Sequence, residues 1–185
     1  MTTGRREITS AEFAEVIHEF QHTAFRLEQQ PAYLEDVEAD LLAAFLRGEP
    51  RSANSVPELR QWFDQIAEHV RQGRRIERVR IQRTPPTDYQ RFERSMDPEN
   101  IAAGEVMRYL TWERAHEVGL LPEAGRDDWW LLDSSKLVIM RFDDQGRRIG
   151  HVLVTDPTAV AKACEWRDLA VHHSVPADAR TRSST

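Results

Sequence analysis

The sequence predicts an α+β protein with an α/β-like core: a helical N-terminal part over about 9–73, then a mixed sheet with an antiparallel meander over about 74–175, closed by a C-terminal helix. Three observations predict it. Apolar residues recur at helical spacing as far as Gly73. Directly after it, charged and β-branched residues alternate. Between 128 and 154, three apolar runs are separated by short Ser- and Asp/Gly-containing turns, the pattern of hairpins.

The first helix is expected over 9 to about 29. Thr9 and Glu12 form a capping box, and Phe13, Val16, Ile17, Phe20, Ala24 and Leu27 follow on one face. A second helix over 34–46 ends at Gly48-Glu49-Pro50. The third opens on another box, Ser55 and Glu58, carries Leu59, Trp62, Phe63, Ile66 and Val70, and stops at Gly73. "RRIERVRIQR" then reads as a strand with Val79 and Ile81 inward and Arg78 and Arg80 on the other face. A helix starts near Thr87 or Asp88, with Asp97-Pro98 punctuating its end. "EVMRYL" is a short strand and "WERAHEVG" a short helix closed by Gly119. "WWLLD", "KLVIMRFD" and "GHVLVTD" form the meander. Asp156-Pro157 opens the last helix, aspartate as cap and proline in the first turn.

The 185 residues, 40% hydrophobic and 30% charged, suit one domain over 1–175, with 176–185 a disordered tail that offers no apolar partner. No apolar run approaches the roughly 18 residues of a membrane helix, and "MTTGRREITSAEF" lacks the apolar stretch of a signal peptide, so the expected location is the cytoplasm, away from membranes. The single cysteine, Cys164, excludes an internal disulfide and a thiolate metal cage, and its helical neighbours Val160 and Val171 make it a packing residue. A net charge of -6 does not advertise a nucleic-acid binder.

His18-Glu19-Phe20-Gln21-His22 spells H-E-x-x-H, in which two histidines one helical turn apart hold zinc and the glutamate polarises water. At about 100° per residue, the stripe of the first helix centres near Phe20, so His18 and His22 fall on the wet side, and no third ligand is evident. A zinc metalloprotease is therefore a remote reading, and no metal or cofactor is implied. Arg71, Arg74, Arg75, Arg78, Arg80 and Arg83 crowd six guanidinium groups into one stretch. Converging, they would make a site for phosphate ligands or nucleic acid. A strand instead sends alternate side chains to opposite faces, which favours a partner-facing or internally paired surface, and direct nucleic-acid binding is the lesser reading. Trp129 and Trp130 must point opposite ways, one of them free to line a pocket or interface. Nucleotide-binding loops and the G-x-S-x-G elbow are absent from the sequence.

"TAFRLE" (23–28), "ERVRIQ" (77–82), "DYQRFE" (88–93), "AAGEVMRYL" (102–110), "DWWLLDSSKLVIMRFDDQG" (128–146), "LVTDP" (153–157) and "WRD" (166–168) together resemble an actinobacterial family of uncharacterised single-domain proteins often encoded beside helix-turn-helix regulators. In that family the positions of His18 and His22 are not fixed as histidine. The order of elements after Gly73 also resembles half of a phospholipase-D-type domain, whose motif is H-x-K-x(4)-D. Anchoring its aspartate on Asp133 puts Arg126 at the histidine and Asp128 at the lysine; arginine is too basic to be the nucleophile and a carboxylate repels phosphate. The resemblance implies a degenerate site and a non-catalytic regulatory module acting through a protein partner, a regulator or a second copy. Its candidate contact residues are Arg26, Tyr89, Arg91, Glu105, Trp129, Asp133, Trp166 and Arg167, which mix polar and aromatic character within the quoted motifs.

Overall fold

A computed structural model describes residues 4–177. Its elements, in order, are β1 (Arg5–Ile8), α1 (Ser10–His18), β2 (Thr23–Glu28), a 3-10 turn (Asp36–Glu38), α2 (Ala39–Leu46), a second 3-10 turn (Ala53–Ser55), α3 (Pro57–Arg71), β3 (Arg75–Gln82), α4 (Asp88–Ser95), α5 (Asp97–Ala102), β4 (Val106–Thr111), α6 (Trp112–Glu117), β5 (Asp128–Leu132), β6 (Lys136–Phe142), β7 (Arg148–Val154), α7 (Pro157–His173) and β8 (Val175–Pro176). The strands described form one mixed sheet in the order β1-β7-β6-β5-β2-β3-β4-β8. β2, β3 and β4 run parallel, and every other pairing is antiparallel. The expected α+β class, the meander β5-β6-β7 and the closing helix α7 are all present.

Helices cover both faces of the sheet. On one, α1–α4 pack through Ile17, Leu41, Phe63, Ile66 and Phe92 onto Ala24, Ile76, Trp130, Leu132 and Val138. On the other, α6 and α7 pack through Ala115, Val160, Ala163 and Ala170 onto Phe25, Leu27, Val79, Ile81, Trp129 and Leu131.

The N-terminal third is not all helix. α1 stops at His18, and residues 23–28 are the strand β2, paired with both β3 and β5. The helical stripe misled because Ala24 and Leu27 fit the spacing of Phe20 while actually lying on opposite faces of a strand buried on both sides, where no clean alternation marks the strand. The Thr9/Glu12 capping box is present as expected. The one at Ser55 is not: α3 begins at Pro57 with Val56 as an uncapped N-cap, and the Ser55 hydroxyl donates to the Ser52 carbonyl at 2.7 Å. Asp97-Pro98 does not merely end α4 but opens α5. Pro176, expected in the tail, pairs with Arg108 as part of β8, and the rest of that expectation, 178–185, lies outside the described residues.

Candidate functional site

The alternation that buries Val79 and Ile81 on one face of β3 drives Arg78 and Arg80 into the other, where they too are buried. The parallel register sets Arg26 beside Arg78 and Glu28 beside Arg80, and the antiparallel register sets Trp130 beside Arg26. Three guanidinium groups thus share one patch of sheet beneath the α1–α5 layer. A buried charge is tolerable only when paired, and here each pairing is on hand. Arg78 grips Glu105 in a fork, Nε to Oε1 at 2.8 Å and Nη2 to Oε2 at 3.3 Å, and donates Nη1 to Glu28 at 3.0 Å. Arg80 donates Nε to Glu28 and Nη1 to Asp97, both at 2.8 Å. Arg26 holds Nη2 2.9 Å from Glu28 and lies over the Trp130 ring at 5.5 Å. Tyr109 and Tyr33 donate to Asp97 and Asp128 at 2.5 Å, and Tyr89 donates to Glu38.

Above this floor is a cavity of about 260 Å³, near the lower end of small-molecule sites. Trp62, Phe63 and Leu59 of α3, Phe13 and Ile17 of α1, and Trp130 wall it. Glu93, Tyr89 and Asn100 line it from α4 and α5, and Val37 and the Glu35–Arg148 pair from the side.

The environment splits the carboxyl groups. Burial alone would raise Glu28, but Arg26, Arg78 and Arg80 together outweigh it and hold the group well below the usual carboxylate range. Burial wins elsewhere: it pushes Glu93 up to about 8, against the pull of Arg80 and with Glu28 and Glu38 adding repulsion. Burial likewise raises Asp128 to about 6, and Asp97 and Glu38 in the same direction. One carboxyl is therefore firmly ionised at neutral pH while another in the same cluster, Glu93, keeps its proton.

The eight candidate contact residues divide between the two faces. Arg26 and Tyr89 line the cavity and Glu105 secures its floor. Trp129 lies on the opposite face with its ring 6.4 Å from that of Trp166, and Arg167 of α7 donates to the Ser134 hydroxyl at 2.8 Å. Asp133, in the β5-β6 turn with a left-handed φ of 51°, accepts the backbone amides of Gln21, His22 and Thr23 at 2.7–2.9 Å. Arg91 is exposed and paired with Asp88. The arginine cluster also separates. Arg71 pairs with Glu68 and Arg75 with Glu77 at the surface, while Arg74 bonds His69 at 2.8 Å and lies over Phe20. Only Arg78 and Arg80 reach the cavity.

His18 closes α1 and His22 lies beyond the bend that follows, both exposed, so the two imidazoles do not share one turn of a continuous helix. Arg126 is exposed, whereas Asp128 and Asp133 stand at opposite ends of β5, so the positions matched to H-x-K-x(4)-D do not assemble. Sequence reasoning missed Glu28, Tyr33, Trp62, Asp97 and Trp130 as site residues. The signal was the i, i+2 spacing of charges in two apolar strands, Arg26/Glu28 and Arg78/Arg80.

No helix of the described residues is long and apolar enough to cross a membrane. A comparison with curated proteins finds no match. Among solved structures, the fold is similar to a phospholipase D family member, Nuc from Salmonella typhimurium, with a TM-score of 0.53 and 9% identity over 90% of this chain and 88% of that one. Weaker similarity extends to TrmBL2, an archaeal chromatin protein, with a TM-score of 0.48 and 12% identity over 89% of this chain and 49% of the other. It extends also to phosphatidylserine synthase of Haemophilus influenzae, with a TM-score of 0.44 and 11% identity over 92% and 38%. At such identity the likeness to Nuc is one of fold alone. The model of the family described as "Domain of unknown function (DUF6879)" matches residues 11–179, and the chain belongs to that family.

Proposed function

We propose that the protein is a non-catalytic regulatory module of the bacterial cytoplasm, which takes a small organic molecule into the cavity above Trp130 and passes the occupied state to a protein partner, a transcriptional regulator or a second copy of itself. The observation that carries this reading is the cavity, walled on one side by Phe13, Ile17, Leu59, Trp62 and Phe63 and with its floor arginines already engaged by carboxylates. Its lining includes no histidine, the nucleophile of the phospholipase-D-type motif, and its hydroxyl groups Tyr33 and Tyr89 are raised above the ordinary phenol range by burial. The partner side of the reading is supported by Leu34 and Val37, which are about half exposed, Val37 on the cavity wall itself.

The phosphate-ligand or nucleic-acid alternative has less support. Arg78 and Arg80 would have to release Glu105, Glu28 and Asp97 to hold phosphate, and the exposed Arg71 and Arg75 already pair with acidic neighbours.

A thermal-shift screen of small organic molecules against the wild type and Leu59→Trp tests the proposal, since Leu59 is half-buried on the wall and an indole there fills the space. Ligands that raise the melting temperature of the wild type and not of the variant are expected. A screen without any such ligand, or hydrolysis of a phosphodiester such as bis(p-nitrophenyl) phosphate by the purified chain, overturns it.

A further inference from the structure

We propose that the ligand of this cavity is an organic cation, an ammonium or amidinium group on an apolar or aromatic body, with Glu93 as its counter-ion; the inference rests on the ligand-binding reading above and names its chemical class.

Glu93 is 6% exposed and lines the cavity, yet its carboxyl accepts no hydrogen bond from any described residue. The cation paired with it, Arg80, stands 3.7 Å away through Nη2, with its Nε and Nη1 directed to Glu28 and Asp97. Asn100, 5% exposed and also on the cavity wall, donates its amide nitrogen to the Met96 carbonyl at 3.0 Å. Its amide oxygen has no partner among the described residues. Once Glu93 is ionised, two buried side chains present acceptors to the space, and what they lack is a donor. Two of the unpartnered donors nearby, Nε of Arg26 and Nε1 of Trp130, are closed off from any water-sized space and do not offer themselves to a ligand.

Charge points the same way. The cavity lining alone is balanced, Arg26, Arg78, Arg80 and Arg148 against Glu28, Glu35, Glu38 and Glu93, but with Asp97, Glu105 and Asp128 beneath it and Arg94 beside Asp97, acid outnumbers base. A cation restores balance, while an anion enlarges the excess and must break bonds of 2.8 Å to reach Arg78 or Arg80. The walls suit a cation with an apolar body as well. Trp62 meets Trp130 edge-on at 6.1 Å, and Phe13, Phe63, Tyr33 and Tyr89 complete an aromatic enclosure, the environment in which cation–π attraction is strongest.

The proton on Glu93 offsets part of this excess acid, burial raising its carboxyl to about 8. Around it are Arg26 and Glu28 of β2, Arg78 and Arg80 of β3, Glu38 of the first 3-10 turn, Tyr89 one turn earlier on α4, Tyr33, and Asp97 beyond Arg80. A bound cation takes the proton's place, and the proton passes to the buffer.

Benzamidine, benzamide and benzoate are a matched cationic, neutral and anionic set for testing this on the full chain by calorimetry and thermal shift. Benzamidine is expected to bind and the other two not. Its affinity should rise about tenfold per pH unit from 6 to 7, and its heat should vary with the ionisation enthalpy of the buffer as a proton is released. Glu93→Gln imitates the protonated carboxyl and should remain folded by circular dichroism, lose at least tenfold in benzamidine affinity and lose the pH dependence. Binding of benzoate or benzamide as tight as that of benzamidine, or benzamidine binding untouched by Glu93→Gln, overturns the inference and leaves the ligand-binding reading standing. Silence from all three probes also overturns it, whereas the ligand-binding reading falls only if the broad screen yields no ligand that Leu59→Trp excludes.

Discussion

Glu28 joins the two arginines of β3, one carboxylate oxygen accepting from Nη1 of Arg78 at 3.0 Å and the other from Nε of Arg80 at 2.8 Å. The carboxylate is 4% exposed, so water cannot replace either partner. Arg80→Met leaves Glu28 and Asp97 buried with fewer compensating charges and should lower stability by about 3–5 kcal/mol, read from the urea midpoint at constant m value. In Arg80→Met combined with Glu28→Gln the two losses should overlap, giving a coupling of about 1–3 kcal/mol in a double-mutant cycle. Additive losses would show that the pair does not act as a unit.

The raised Glu93 carries a definite pH sign. Its carboxyl titrates near 8 in the folded chain, against an ordinary 4.5, so between those values the folded state binds more protons than the unfolded one. The resulting contribution is fully present below about 4.5 and is lost as pH rises through 8. Asp128, raised to about 6, acts in the same direction, so the contrast must be made against a variant. Glu93→Gln should remove the part of the decline that belongs to this residue, its melting temperature falling less than that of the wild type between pH 5 and 8.5. Parallel curves for the two proteins would contradict the assignment.

Asp133 works in the opposite sense. Although burial alone would raise it, its bonds from the amides of Gln21, Thr23 and His22 prevail and lower its pKa. Its contribution is therefore present above the ordinary aspartate value of 3.8 and is lost as pH falls through the lower folded one. Asp133→Asn replaces one acceptor oxygen by a donor facing an amide and should cost about 1–3 kcal/mol at neutral pH. Because those amides lead into β2, hydrogen exchange should quicken first at Gln21, His22 and Thr23; unchanged exchange there would show that the turn is held by other contacts.

His18 and His22 supply a test of the H-E-x-x-H reading. Both are exposed and on different local backbone, a helix end and a bend, so His18→Ala and His22→Ala should each shift stability by no more than about 0.5 kcal/mol. Purified protein should hold less than stoichiometric zinc by elemental analysis. One zinc per chain, lost in both variants, would restore the metalloprotease reading.

The sequence made the second half of the fold legible because each element there carries its own local marks. Asp156-Pro157 caps α7 as its residue types dictate, Thr87 caps α4, and the β6-β7 turn closes on Gly146, where a side chain would meet the Ala32 carbonyl at 2.4 Å. β2 was illegible for the converse reason. Its character comes from partners far away in the chain, Ile76 and Leu132 among them, and its residues satisfy a helical template equally well. The site was half visible: Arg26, Tyr89 and Glu105 were singled out within the quoted motifs, whereas Glu28 and Trp130, in those same motifs, became site residues only once register placed them beside the arginines. Guanidinium groups gathered within one stretch were expected to pair internally or face a partner, and Arg78 and Arg80 do pair internally.

The sheet order also governs how the molecule is made. β2 lies between β3 and β5, and β1, at the edge of the sheet among the described residues, pairs with β7, Arg5 opposite Val154. During synthesis the first strands therefore emerge long before their neighbours exist, and the entropy of closing those large loops must be met before pairing rewards it. Pairing of β1 and of one edge of β2 therefore waits for β5 to β7, and until then the apolar residues of β2 lack the partners that bury them.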